Sequence, residues 1–328
     1  MDQIHIQEQK LKSEFDINDH NFRFVNSGKL GISLILSYLN KEKKFLPKLD
    51  EIFVPKFMGN WIYSSLNQNI LTSTSFNKNT KLIYIYHQFG IPQNMKLLKD
   101  FADENNLIVL EDCAHALDGY SKSDNSIIGN EQHYVIYSFS KFFNCKILGG
   151  IKNENKNFLD YVDQKTKSSS YIQSYLNLFL INLSNFLGEH NIISKKILNL
   201  NYSLYHFLSK PIKSKINFVK KNFKTEIASR KNKYLLFKEA LKNFDKNNFF
   251  NYDELSPYKI PVPMINPKQK EKIITKFEKE NFKYDDLMYD QNRNMIEPNY
   301  IKTLVLNTSS KNINFTNQVE IIRNELNE

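Results

Sequence analysis

The spacing of apolar residues changes period several times along the first half of the chain. Residues 28–40, GKLGISLILSYLN, carry apolar positions at helical spacing behind a Ser-Gly start. EIFVP at 51–55 reads as a short strand stopped by Pro55, and GNWIYSSLNQ at 59–68 as a helix. KLIYIYH at 81–87 is a strand, NMKLLKDFADENN at 94–106 an amphipathic helix, and LIVLED at 107–112 a strand again. A further apolar run, YVIYSFS, follows at 134–140 and leads into Lys141. Unbroken apolar strands separated by helices predict an α/β fold, a mainly parallel sheet covered on both faces.

Beyond Ile151 the pattern becomes helical from about 155 to 245, with a break at Pro211 and its clearest helix at 226–244. Strand-like runs at 258–265 and 300–309, and helical runs at 268–282 and 317–326, then predict a small α+β unit. The expected organisation is a large unit over 1–225, which includes the helical stretch 155–225, and a small C-terminal unit over 226–328. In parallel sheets ligands bind at the carboxyl ends of strands. His87, Asp112 and Lys141 fall at such ends.

Charge and cysteine content narrow the picture. With 45 basic and 35 acidic residues the net charge is +10, which favours anionic partners. The lysines are scattered, and the densest cluster, KEKKFLPK at 41–48, is short, so no nucleic-acid partner is expected. Cys113 and Cys145 form neither a CxxC pair nor part of a Cys/His cluster, so neither a disulfide nor a metal site is expected. The polar first twenty residues do not read as a targeting peptide, and a cytoplasmic location is expected. Residues 168–188 lack charge, but Gln173, Asn177 and Ser184 share one helical face and Ile172, Tyr175, Leu176, Phe179 and Leu183 another. That spacing predicts a packing or subunit-contact helix and no membrane span.

Three features together suggest a chemistry. An amine desolvated by neighbouring aromatic and apolar residues, as Lys141 is between YSFS and FF, has a lowered pKa and attacks carbonyl carbon more readily. An acid at the preceding strand end, Asp112, suits a protonated pyridine nitrogen, the group that makes pyridoxal phosphate an electron sink. The Ser27-Gly28 helix start offers backbone N–H groups to a phosphate, and Ser138 adds a hydroxyl. Gly149-Gly150 is expected to turn the chain tightly behind the lysine. Each residue also has a plainer reading: Asp112 as a helix N-cap, His115 as a satisfied core histidine, Ser138 as a strand-end cap.

In order and spacing, SGKLGISLIL, DEIFVP, YIYHQFGIPQNMKLLKDFADENNLIVLEDCAHALDG and YSFSK with the following GG resemble the DegT/StrS family of pyridoxal-phosphate-dependent sugar aminotransferases, of fold type I. The resemblance covers most of residues 23–152 and, more loosely, the last hundred. It implies that Lys141 bonds the cofactor and that Asp112 partners its ring nitrogen. His115 then lies near the ring oxygen, and Ser138, Ser27, Gly28 and Lys29 hold the phosphate. Trp61 and Phe57 are the candidates for the aromatic stacked on the ring.

The chain departs from the family pattern in three ways. Lys141 follows the Ser-Phe pair two residues sooner than usual, and the chain is short. The Asn-Tyr-Arg segment that usually reaches the neighbouring subunit's cofactor is matched only by LNYSL around Asn201, with Ser203 in place of Arg. The implied activity is amino transfer from an amino acid, glutamate first, to a keto sugar, most directly a nucleotide-linked one, by a homodimer. A lyase or dehydratase on the same scaffold, and a non-catalytic basic binding protein, are the alternatives.

Overall fold

The computed structural model describes residues 16–327, apart from 47, 122–125, 131, 189–190, 205–206, 246–249, 251 and 253. Most of the N-terminal segment that bears on targeting lies outside the described residues. Strand β1 (Phe22–Val25) leads into helix α1 (Gly28–Lys43), and β2 (Glu51–Phe53) into α2 (Asn60–Asn67). Then follow β3 (Leu71–Ser73), β4 (Thr80–Tyr86), α3 (Met95–Glu104) and β5 (Ile108–Asp112). β6 (Ala116–Ser121) and β7 (Ser126–Ile127) leave the main sheet, which resumes with β8 (Tyr134–Ser138) and β9 (Gly149–Lys152).

The main sheet has seven strands in the order β1-β9-β8-β5-β4-β2-β3. From β8 to β3 every pairing is parallel, while β9 runs antiparallel to both its neighbours. The predicted helices and strands of this half lie where the periodicity placed them, within a few residues at each end. Gly149 and Gly150 correct the sequence reading: they are not in a turn but open β9, paired with Ser138 and Tyr137. The reason is a close crossing. A Cβ on Gly149 would stand 2.5 Å from the Gly28 nitrogen, so only glycine lets β9 pass behind the start of α1.

Helix α1 is nearly surrounded, burying Leu30, Ile32, Ile35, Leu36 and Leu39 among Leu82, Leu110, Ile136 and Ile151 of the sheet. The opposite face of the sheet packs on α3 through Ile83, Ile85, Met95 and Leu98. The helical region comprises α4 (Lys156–Ser168), α5 (Ile172–Leu187), α6 (Ile192–Leu204) and α7 (Lys213–Leu241). α7 starts well before the expected helix at 226–244 and crosses residue 225 unbroken.

Strand β10 (Glu254–Pro257) joins β6 and β7 in a second sheet. β11 (Lys259–Pro261), helix α8 (Pro267–Lys279), β12 (Asp285–Asp290), β13 (Tyr300–Asn307) and α9 (Phe315–Asn327) complete the chain. β11, β13 and β12 make an antiparallel three-stranded sheet. Its Leu304, Val305 and Leu306 share a core with Phe223 and Phe237 of α7.

Helix α5 inverts the expected polarity. It buries Ser174, Asn177, Leu180 and Ser184, while Ile172, Tyr175, Phe179 and Phe186 are exposed, Phe186 at 87%. The buried side meets α6 through hydroxyls: Ser184 Oγ lies 2.8 Å from Ser194 Oγ. Among the described residues no helix is long and apolar enough to cross a membrane.

Side chains alternate across a strand, so Glu111 and Asp112 leave β5 on opposite faces. Glu111 is fully buried on the α3 side, where one carboxylate oxygen is 2.9 Å from His87 Nε2 and 2.6 Å from the Gly129 nitrogen, and the other is 3.0 Å from His133 Nδ1. The Gln93 N–H donates to His87 Nδ1 at 3.2 Å, so His87 carries its proton on Nε2 and donates it to Glu111. Burial alone would raise the Glu111 pKa, but the bonds from His133 and His87 outweigh it and hold the carboxyl well below its usual range. This carboxylate ties together the ends of β4, β5 and β8.

Glu111→Gln should cost about 3 kcal/mol at neutral pH, because an amide presents N–H to a donor that is already fixed. A group whose folded pKa is depressed stabilises fully above its unfolded pKa, about 4.3 for Glu, and loses that contribution as pH falls below it. Urea unfolding of both proteins at several pH values should therefore show a constant gap near neutrality that closes under acid. Equal stability at pH 7 would show that Glu111 does not bind the strands together.

Candidate active site

The strands β4, β5 and β8 end together at one edge of the sheet, beside the N-terminus of α1. A cavity of about 580 Å³ opens there. Ser27, Gly28, Lys29, Asp112, His115, Ser138 and Lys141, every site residue expected from the sequence, line it. Tyr86, Tyr258, Trp61, Ser140, Lys146, Asn201 and Tyr202 line it as well. Of the two candidate stacking aromatics, Trp61 borders the cavity, whereas Phe57 is not among its lining residues and packs on Tyr300, ring centroids 4.6 Å apart.

Asp112 is held from two sides. Tyr84, two residues before its cross-strand neighbour Tyr86, donates its hydroxyl to Oδ2 at 2.5 Å, and the Ala114 N–H donates to Oδ1 at 2.7 Å. Burial raises the Asp112 pKa; the Tyr84 hydroxyl, the Ala114 N–H and the Lys141 charge work against that rise without cancelling it. A cationic ring nitrogen in the cavity would supply the missing opposite charge.

Lys141 ends the 3-10 turn Phe139–Lys141 that follows β8. Its ammonium is reachable from the cavity yet crowded by protein atoms, and burial lowers its pKa, with Asp112 opposing and Lys259 adding to the effect. Lys141 Nζ is 2.8 Å from His115 Nε2, and His115 Nδ1 is 2.6 Å from the Tyr86 hydroxyl. The His115 ring lies against Tyr258, ring centroids 4.9 Å apart and 27° from parallel. Burial, then the Lys141 charge, keep its pKa well below the usual value, so the imidazole is neutral. A neutral imidazole accepts at one nitrogen and donates at the other. With Lys141 protonated the bonds run from lysine to His115 to Tyr86; with a free amine they run the opposite way.

At the helix start, the Leu30 N–H donates to the Ser27 hydroxyl at 3.1 Å, which makes Ser27 the N-cap of α1. Ser138 Oγ stands 3.3 Å from Ser140 Oγ. A Cβ on Gly28 would lie 3.5 Å from that of Ser138, so the turn and the strand end sit side by side. The Lys29 ammonium turns away from this cup. It is 3.3 Å from the Tyr202 carbonyl and lies over the rings of Trp61 and Tyr202, 5.0 and 4.7 Å from their centroids.

An amine, a carboxylate and a helix N-terminus facing one cavity match the donor set that pyridoxal phosphate requires: a nucleophile for its aldehyde, an anion for its ring nitrogen and N–H groups for its phosphate. Residues 71–150 match the profile of the DegT/DnrJ/EryC1/StrS aminotransferase family. Over that segment the chain is similar to the family. The fold is one shared with a solved aminotransferase.

Among solved structures the fold is similar to DesV from S. venezuelae, at a TM-score of 0.59 and 12% identity over 92% of this chain and 84% of that one. It is also similar to an aminotransferase from Psychrobacter cryohalolentis, at 0.58 and 13% over 98% and 89%. A GDP-4-keto-6-deoxymannose-3-dehydratase with a trapped PLP-glutamate adduct scores 0.57 at 14% over 98% and 91%. No curated sequence matches the chain.

Sequence reasoning missed Tyr84, Tyr86 and Tyr258. The first two had a usable signal, since alternation in KLIYIYH puts both tyrosines on the face that Asp112 shares; Tyr258 had none, because it comes from a different sheet. Tyr84→Phe should leave one Asp112 oxygen unpaired and move its titration to higher pH, at a stability cost of about 1–2 kcal/mol. Carbon NMR of the Asp112 carboxyl against pH reads this directly, and an unchanged titration would remove Tyr84 from the site.

Proposed function

We propose that this chain transfers an amino group from an amino acid, glutamate in the first instance, to a keto sugar, most directly a nucleotide-linked one. The setting would be cytoplasmic amino-sugar or surface-polysaccharide synthesis. The observation that carries the reading is the convergence of Lys141, Asp112 and the Ser27-Gly28 helix start on one cavity. In this reading residues 1–225 are the cofactor-binding unit and 226–328 the small unit.

Pyridoxal phosphate, when bound, supplies the electron sink that lets a carbon–hydrogen bond next to nitrogen be broken. Lys141 would bond the aldehyde carbon and, once displaced by the donor's amine, move the proton between the donor's α-carbon and the cofactor carbon. His115 and Tyr86 suit that task, because their bonds can reverse when Lys141 gains or loses its proton. Asp112 would hold the ring nitrogen protonated, and Ser27, Gly28 and Ser138 would anchor the phosphate end, while the Lys29 ammonium stands at the Tyr202 carbonyl instead of in that cup. Retention of a lysine at 141 favours amino transfer over dehydration, since sugar dehydratases of this kind carry histidine there.

The exposed apolar face of α5 supports assembly as a homodimer, with a second copy covering Ile172, Tyr175, Phe179 and Phe186. Light scattering should give twice the chain mass, and Phe179→Glu with Phe186→Glu should shift it toward one. A loaded, active monomer would refute the dimer.

Protein loaded with pyridoxal phosphate should absorb visible light, and borohydride reduction followed by peptide mapping should find the cofactor on Lys141. A label on another lysine would overturn the assignment. Asp112→Asn should keep the fold and the cofactor but slow single-turnover amination of the cofactor by glutamate on the order of a hundredfold to a thousandfold. A rate within about threefold of wild type is too close for loss of such a group and would show that Asp112 does not face the ring nitrogen.

A further inference from the structure

Tyr258 is the single residue between β10, which pairs with β6, and β11, which belongs to the antiparallel sheet of β11, β13 and β12. It meets His115 twice. Its N–H donates to the His115 carbonyl at 3.0 Å, and its ring lies against the imidazole. The Lys141 ammonium stands 5.6 Å from the centroid of the same ring, a distance at which a cation is drawn to an aromatic face. Tyr258 thus brings the C-terminal part of the chain to the reactive amine.

What holds Tyr258 is a buried arginine. Arg230 of α7 is 1% exposed; burial works against its charge, and Glu226, 2.7 Å away, supports it. Its Nη1 lies 3.3 and 3.1 Å from the carbonyl oxygens of Pro257 and Tyr258 and 2.8 Å from the Thr308 hydroxyl. Thr308 Oγ1 is itself 2.5 and 2.8 Å from the same two carbonyls. The guanidinium also lies over Phe142, the residue after Lys141, 4.8 Å from the ring centroid. The Phe142 and Tyr258 rings meet edge to face at 5.8 Å. A buried ion pair gives little stability over apolar residues of the same volume, so stability alone is a weak reason for this one.

We infer that Arg230 is a positioning residue for the Lys141 proton relay, acting through Tyr258. It fixes the Tyr258 backbone on one side and the Phe142 ring on the other, and so keeps His115 Nε2 in line with the Lys141 amine. Arg230 is not among the residues that line the cavity, so it acts only through these neighbours. The inference rests on the aminotransferase reading for the reaction that the relay serves; the brace itself stands on geometry.

The test combines Arg230→Met with Glu226→Gln, so that no buried carboxylate is left without its cation, while Thr308 still serves the two carbonyls. In the cofactor-free protein, proton NMR reads the His115 ring, whose signals the stacked Tyr258 ring shifts upfield. The double variant should move them toward those of a free imidazole. Thr308→Val keeps the ion pair but loosens the same carbonyls, and should move them the same way. With pyridoxal phosphate bound, single-turnover amination by glutamate should slow about tenfold to a hundredfold in the double variant, the scale of a small misplacement of a reacting group, with cofactor affinity unchanged. Added to Tyr258→Leu, the double variant should slow the reaction no further, because both remove one brace.

A double variant that is less stable to urea yet keeps the His115 signals and the amination rate of wild type makes Arg230 a packing residue and overturns the inference. Rate losses that multiply with that of Tyr258→Leu overturn it too, since Arg230 would then act by another route. Should wild type take up no pyridoxal phosphate, the aminotransferase reading falls, and the His115 signals of the cofactor-free protein still decide whether Arg230 sets the imidazole.

Discussion

Two successive carboxylates on one strand must leave by opposite faces of the sheet, and the arrangement of this molecule follows from where each goes. Glu111, on one face, gathers His87, His133 and the Gly129 N–H into a closed set of hydrogen bonds that pins three strand ends. His87 and Glu111 stand at the carboxyl ends of β4 and β5, the edge at which Asp112, on the other face, accepts from Tyr84, while His133 fixes the start of β8. A slip of one residue in β5 would exchange the two acids and remove both the lock and the site at once.

The electrostatics of the cavity have the same two-sided character. Burial pushes Asp112 toward its neutral form and Lys141 toward its own, so neither charge is comfortable without a ligand. Lys29, whose pKa falls to about 8 through burial and then the charge of Lys141, adds to that positive interior. Such a pocket gains most from an occupant that brings both a cation for Asp112 and anions for the lysines.

Much of this was legible in the sequence. Continuous apolar runs gave away the parallel strands, because a strand buried on both faces cannot alternate. The order of a Ser-Gly helix start, a strand-end Asp and then a Lys brought together Ser27, Gly28, Asp112 and Lys141, which the cavity unites, but not Tyr86 or Tyr258. The short strands β3, β6, β7 and β12 escaped because two to six residues carry too little periodicity to separate strand from loop. Gly149 and Gly150 looked like a turn because glycine punctuates turns far more often than it accommodates a crossing backbone; the need for a bare Cα there depends on Gly28, about 120 residues earlier, by way of tertiary contact.

The α5–α6 hairpin buries Ser174, Asn177, Leu180 and Ser184 on α5 and Ser194 and Asn201 on α6, and the Ser184 and Ser194 hydroxyls, 2.8 Å apart, join the two helices. Hydroxyl bonding thus contributes to its cohesion, whereas α1 is held to the sheet by aliphatic side chains. Hydrophobic attraction weakens on cooling and hydroxyl bonding does not depend on it. The two contacts therefore answer to temperature differently: cooling weakens the sheet's hold on α1 more than it weakens the hydroxyl pair between α5 and α6.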